Sequence, residues 1–163
     1  MKLNHSHMVI SAAALTVLAA SGVALATPGS GFSNTPYPVG HFGSLDVKAD
    51  KDQKWDLFLR TKDRTDIGVD RLTVAPGGQS GWHSHTGPVF VTVTVGSIVR
   101  YDGSDSLCPM TTYRVGHTFV EQPNLVHLIR NASETEPAEF VAVQMRPEGA
   151  AGRVDQPEPA NCS

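Results

Sequence analysis

Residues 77–96 read GGQSGWHSHTGPVFVTVTVG, and residues 116–131 read GHTFVEQPNLVHLIRN. One residue separates His83 from His85, and on an extended chain two such side chains point to the same face. Both imidazoles can then converge on one ion, neutral imidazole being the commonest protein ligand for zinc, copper, iron and nickel. A third donor is available in His127, which sits in Leu125-Val126-His127-Leu128-Ile129, an apolar, β-favouring run where histidine is unusual. A His-x-His pair alone decides little, because surface and hydrogen-bonded core histidines are common. The glycines add weight. Gly77, Gly78 and Gly81 precede the first pair, Gly96 follows Val89–Val95, and Gly116 precedes Thr118–Val120, each where a tight turn between strands is needed.

Working outward, short β-favouring runs recur at close spacing with turn residues between them. Trp55–Arg60, Ile67–Val74, Val89–Val95, Ser97–Tyr101, Thr111–Val115, Thr118–Val120, Leu125–Arg130 and Glu139–Met145 are the predicted strands. This pattern predicts an all-β, single-domain antiparallel barrel or jelly roll. Alternation puts Val89, Val91, Val93 and Val95 inside with the histidines, with Val89 and Val91 as pocket lining, and turns Thr92 and Thr94 outward. Trp82 and Phe90 have the opposite parity and read as external packing residues. His41 and His117 have no partner at ligand spacing and read as surface or loop histidines. The sequence after residue 26 shows no long helical period, internal repeat, Walker or dinucleotide motif, or nucleophile elbow.

At these residues the chain resembles the cupin superfamily, whose two motifs read G-x5-H-x-H-x3-4-E-x6-G and G-x5-P-x-G-x2-H-x3-N. Gly77, His83, His85 and Gly96 match the first, and Gly116, His127 and Asn131 match the second. The resemblance implies a cupin-type barrel over residues 49–147, with His83, His85 and His127 as metal ligands. It also implies a possible homodimer formed by strand pairing, although no residue pattern marks the pairing edge. Two departures stand out. Val89 occupies the position of the family's metal-binding glutamate, so the anionic ligand is missing from its usual place. In the second motif Gln122 replaces the proline and Asn124 the glycine; asparagine tolerates left-handed backbone, so the turn can survive.

Three neutral imidazoles disfavour hard, oxygen-seeking ions and suit a divalent transition metal, whether iron, zinc, copper or nickel. Glu121, six residues before His127, is a candidate fourth ligand or a partner that orients a histidine, provided it shares the inward face with Phe119. Two functional classes follow. In one, the metal's open positions activate dioxygen or water beside a small molecule, as the resemblance to three-histidine thiol dioxygenases suggests. In the other, the barrel is a non-catalytic module for a small ligand or metal. A barrel whose histidines bind no metal is a third reading.

The chain ends bear on location. Lys2, the apolar run Val9–Leu25 and the Ala24-Leu25-Ala26 cleavage pattern read as a signal peptide over residues 1–26, leaving no stable membrane anchor after cleavage. Removing it leaves 137 of the 163 residues, enough for one domain: a Gly/Ser/Pro-rich leader at 27–48 with potential flexibility, the barrel, and a Pro-rich tail at 148–163. That portion carries 12 basic and 16 acidic residues, a net −4 that disfavours nucleic acid as a partner and leaves a small molecule as the expected one. Cys108 and Cys162, the only cysteines, form an even pair in a chain expected to be secreted or periplasmic. A disulfide between them is predicted, closing 55 residues and pinning the tail against the barrel.

Overall fold

The computed structural model describes residues 26–49 and 56–163; the predicted signal peptide up to residue 25, and Trp55 at the start of one predicted strand, lie outside the described residues. The strands are β1 (Ser30–Pro36), β2 (Gly40–Phe42), β3 (Asp46–Lys48), β4 (Phe58–Arg60), β5 (Thr65–Gln79), β6 (His83–Ser84), β7 (Val89–Val95), β8 (Ser97–Asp102), β9 (Met110–Arg114), β10 (Thr118–Glu121), β11 (His127–Asn131), β12 (Ala138–Pro147) and β13 (Val154–Asp155). The only helix among the described residues is a 3-10 turn at Ala160–Cys162.

β5 organises the barrel. Along one edge it pairs antiparallel with β12 from Thr65 to Val74, and along the other with β1 and β2. β12 continues to β7 and β7 to β10, which completes one wall. The far end of β5 crosses over, pairing Gln79 with Arg130 of β11, and β11 joins β8, β9, β6 and β13 into the opposite wall. The walls meet over Val74, Val89, Val91, Val93, Ile98, Ile129, Ala138, Phe140 and Ala142, with Phe32, Leu72, Tyr113 and Phe119 packed alongside. Each such aliphatic side chain contributes about 1.5–3 kcal/mol by leaving water. β3 and β4 form a separate two-stranded antiparallel sheet among the described residues.

The valine ladder of β7 follows its alternation for three members and departs at the fourth. Val89, Val91 and Val93 are buried, whereas Val95 is 42% exposed. The cause lies in the register with β12: Glu139 faces Val95 but Phe140 faces Val93, so Thr94 is an extra residue and the strand bulges there. Bulging turns Val95 off the inward face.

Both chain ends contribute more to the barrel than the sequence suggests. The expected leader supplies β1 and β2 to the main sheet, and the expected tail supplies β13, which pairs with β6. Composition hid β1, because Ser30-Gly-Phe-Ser-Asn-Thr-Pro36 has a single large apolar residue, Phe32, which packs against Phe140 at 6.2 Å between ring centroids. The Cys108–Cys162 disulfide is formed, fastening the tail to the β8–β9 loop. Trp82 packs outside the barrel, edge-on to Tyr101, and is nonetheless buried. Phe90 is exposed.

The motif residues that bind nothing have structural roles. The Asn131 amide faces the carbonyls of Val74, Ala75 and Glu136 at 2.8–3.1 Å, and its oxygen accepts from the Ser133 amide at 2.9 Å, locking the β11–β12 turn onto β5. Asn124 adopts the left-handed conformation at φ 62°, as its place in the second motif requires, and its amide donates to the carbonyl of His85 at 2.8 Å. At Gly81, with φ 71°, a β-carbon would collide with the carbonyl of Thr27, so the turn that launches His83 admits only glycine.

Candidate metal centre

β6 and β11 set two of the candidate ligands opposite each other: His83 and His127 are direct cross-strand partners, with ring centroids 4.3 Å apart. His85 lies just beyond β6, 5.0 Å from His83 and 5.2 Å from His127 by ring centroids. All three are buried, His127 completely, and one donor nitrogen from each falls within 4.8 Å of the others.

The backbone determines which nitrogens face each other. His83 Nδ1 lies 2.9 Å from the Gly81 carbonyl, His85 Nδ1 lies 2.6 Å from the Gly152 carbonyl, and His127 Nδ1 lies 3.0 Å from the Leu125 carbonyl. A carbonyl can only accept, so each Nδ1 carries a hydrogen and Nε2 is the nitrogen that each ring turns toward the other two. For His83 the neutral form is strongly favoured, because burial, followed by the neighbouring His127, Arg153 and His85, drives its pKa well below the ordinary histidine value against a smaller opposing pull from Glu121.

Glu121 enters from β10. It is 4% exposed, its Oε1 lies 3.0 Å from His127 Nε2, and its Oε2 lies 3.1 Å from His85 Nε2. Both contacts are short but poorly directed, and neither Nε2 has a hydrogen-bond partner. Burial pushes the Glu121 carboxyl upward in pKa, but attraction to His127 and the close approach of His127 and His85 outweigh it, holding the group well below the usual carboxylate range. A carboxylate this close to two imidazole Nε2 atoms needs a cation on or between them, either ring protons or one metal ion shared by the three groups. With bond lengths near 2.0–2.1 Å, two ligands of one tetrahedral ion lie roughly 3.3 Å apart, close to the spacing seen here. The donor set therefore fits a divalent transition metal.

Glu121 also accounts for the valine in the first motif. Val89 of β7 and Glu121 of β10 are directly opposed in register, and opposed residues on one face have β-carbons about 4.5–5.5 Å apart. The carboxylate that the motif would place at position 89 stands one strand away at the same level of the barrel.

A cavity of about 230 Å³ opens beside this cluster. His83, His85, Glu121 and Val89 form one side, Phe32, Leu72, Ile129, Phe140 and Ala142 an apolar side, and Asn34, Gln144 and Arg153 its polar lining. Val91, expected as lining, lies in the packed core instead. Arg153 and Gln144 carried no sequence signal: Arg153 follows a Gly/Ala-rich turn in the tail, and Gln144 reads as an ordinary strand residue. The tail reaches the site through several contacts. Besides Gly152 beneath His85, Thr86 Oγ1 donates to the Ala151 carbonyl at 2.9 Å, and Gln156 bonds Trp82 and Ser84. His117 is exposed and remote. His41, expected to be unpartnered, bonds the buried Asp66 at 2.7 Å, well away from the centre.

Residues 70–144 match the family described as Cupin domain. Among solved structures, the chain is similar to a cupin-like protein from Thermotoga maritima, with 21% identity, 56% of this chain and 65% of that chain covered, and a TM-score of 0.49. It is similar to a cupin domain from Bordetella pertussis, with 18% identity, coverage of 64% and 94%, and a TM-score of 0.42. A recombinant oxalate oxidase in complex with glycolate shows 28% identity, coverage of 55% and 45%, and a TM-score of 0.45. The chain thus spans less than two thirds of the Thermotoga protein and less than half of the oxalate oxidase. No curated protein matches it in sequence. With its two histidine motifs on neighbouring strands of an antiparallel barrel, the segment 70–144 is a cupin domain.

Proposed function

We propose that this protein is an exported metal-binding cupin that holds one divalent transition-metal ion, iron, zinc, copper or nickel, on His83, His85, His127 and Glu121, and receives a small molecule in the adjoining cavity. The observation that carries this reading is the convergence of buried Nε2 atoms on a buried carboxylate, with every Nδ1 tied to a carbonyl. A bound metal of this kind supplies a Lewis acid with open positions for water, dioxygen or a chelating group. The protein's own contribution is orientation and exclusion. Three carbonyls fix the rings, Glu121 offsets one positive charge, and the apolar side of the cavity limits the water around the ligand. The disulfide and the predicted signal peptide support export.

Catalysis and simple binding are separated by one feature. Among the described residues lining the cavity, Glu121 is the only carboxylate, and it is engaged by two histidines, so no free general acid or base stands ready. This favours a binding module unless the metal itself performs the chemistry. Oxygen uptake or hydrolysis measured over a substrate panel with the metal-loaded protein discriminates between them. Turnover lost in His83→Ala and His127→Ala with the fold intact makes it an enzyme; saturable binding without turnover makes it a module.

A further inference from the structure

The tail residue Arg153 is the one cation among the described residues lining the cavity, which it shares with His83, His85 and Glu121. Its guanidinium is held from behind: Nε donates to Asp155 Oδ1 at 2.6 Å, and Nη2 donates to the Ser80 carbonyl at 2.7 Å. Those bonds fix its direction, and the side chain remains one-third exposed. Charge balance then constrains the ligand. A divalent ion with Glu121 leaves one positive charge, Arg153 adds another, and Asp155, which is 59% exposed at the outer edge, offsets only part of it. Excess positive charge in a partly desolvated cavity is costly without an anion to complete it. The opposite lining is apolar, formed by Phe32, Leu72, Ile129, Phe140 and Ala142.

We propose that the cavity takes a small monocarboxylate with a short apolar body, its carboxylate recognised by Arg153. This rests on the metal-binding reading above and adds the class of ligand. Recognition by a guanidinium held in place from behind discriminates an anion from a neutral analogue of the same shape, because orienting the group adds no further cost on binding.

The test uses the full exported chain loaded with cobalt(II), whose visible spectrum reports ligand entry without turnover. Titrations with 3-hydroxybutyrate, butyrate and 1,3-butanediol compare two anions with a neutral analogue. The expected result is saturable spectral change with both anions and much weaker binding of the diol. In Arg153→Gln, 3-hydroxybutyrate binding falls at least ~10-fold, as loss of a charge-assisted hydrogen bond implies, while diol binding, cobalt content and the resting spectrum stay unchanged. Arg153→Lys, keeping the charge, recovers part of the loss. Equal affinity in wild type and Arg153→Gln overturns the proposal. So does loss of cobalt or an altered resting spectrum in both variants, which would make Arg153 an anchor for the tail. Failure of the underlying metal reading shows separately, as a wild-type protein that retains no cobalt, and the proposal falls with it.

Discussion

Two places among the described residues each gather three side chains able to ligate a metal, and they differ in what surrounds the donors. His83, His85 and His127 are buried, and with Glu121 beside them two of their Nε2 atoms converge on its carboxylate without a well-directed hydrogen bond. His41, Asp66 and Glu148 also lie within ligand distance of one another, but two of the three are exposed. Each donor there already has a partner: Asp66 accepts from His41 and from the Gly149 amide at 3.0 Å, and Glu148 accepts from Arg64 Nε at 2.6 Å. The donors differ, three imidazoles against one imidazole and two carboxylates, but either set could ligate a cation. What separates them is whether protein hydrogens already satisfy the donor atoms or leave them facing one another in a dry site. Proximity of donors alone is a poor guide to a metal; the fate of each donor's second atom is a better one.

The comparison can be broken most decisively at the first cluster. Replacing His127 with alanine should weaken metal binding by more than ~100-fold, because a ligand that also completes the cross-strand pair is removed; competition against a chromophoric chelator gives the number. Glu121→Gln should weaken it by roughly 10- to 100-fold while the three rings keep their orientation. An unchanged affinity would reduce Glu121 to a packing residue.

A smaller effect is expected from the tail. Cys108→Ser/Cys162→Ser removes the clasp that holds residues 150–156 over the site, and in the chain-entropy account costs on the order of 4 kcal/mol of stability. Because the Gly152 carbonyl orients His85, metal affinity should fall by up to ~10-fold as well. Denaturant unfolding and chelator competition on the same preparation separate the two consequences.

The least effect on metal should come from the second cluster. His41→Ala and Glu148→Gln should leave metal content as it is in the wild type, whereas Asp66→Asn should act on stability alone. The Gly149 amide, then His41, holds the Asp66 carboxyl below its ordinary pKa. A depressed folded-state pKa contributes stability that is complete above the unfolded value and fades as pH falls through the lowered folded value. The deficit of Asp66→Asn should therefore be largest near neutral pH and narrow in acid, which urea midpoints across that range will show.

The sequence makes the centre of the fold legible because its physical signals are local. Alternation in Val89–Val93, glycines at left-handed turns and the His-x-His spacing each depend on near neighbours in the chain, and the barrel follows them. Val95 departs because its environment is set by a bulge against Glu139 and Phe140, far along the chain. β1 and β13 were hidden for the same reason: their pairing to β5 and β6 satisfies backbone groups that composition does not report. Glu121 was legible only as a conditional candidate, since its reach to the histidines depends on the register that opposes it to Val89. Arg153, Gln144 and the Gly152 carbonyl were not legible at all, being brought to the cavity by the tertiary path of the tail and by β12.

The most direct test of the account is elemental analysis of the protein, purified without a metal-binding tag, beside a His83→Ala/His85→Ala/His127→Ala variant that keeps its fold. One transition-metal ion per chain in the wild type, absent from the variant, is the result the account predicts from the converging Nε2 atoms. Equal metal content in the two proteins, or none in either after anaerobic reconstitution, would contradict it and leave the three histidines as a buried hydrogen-bonded cluster.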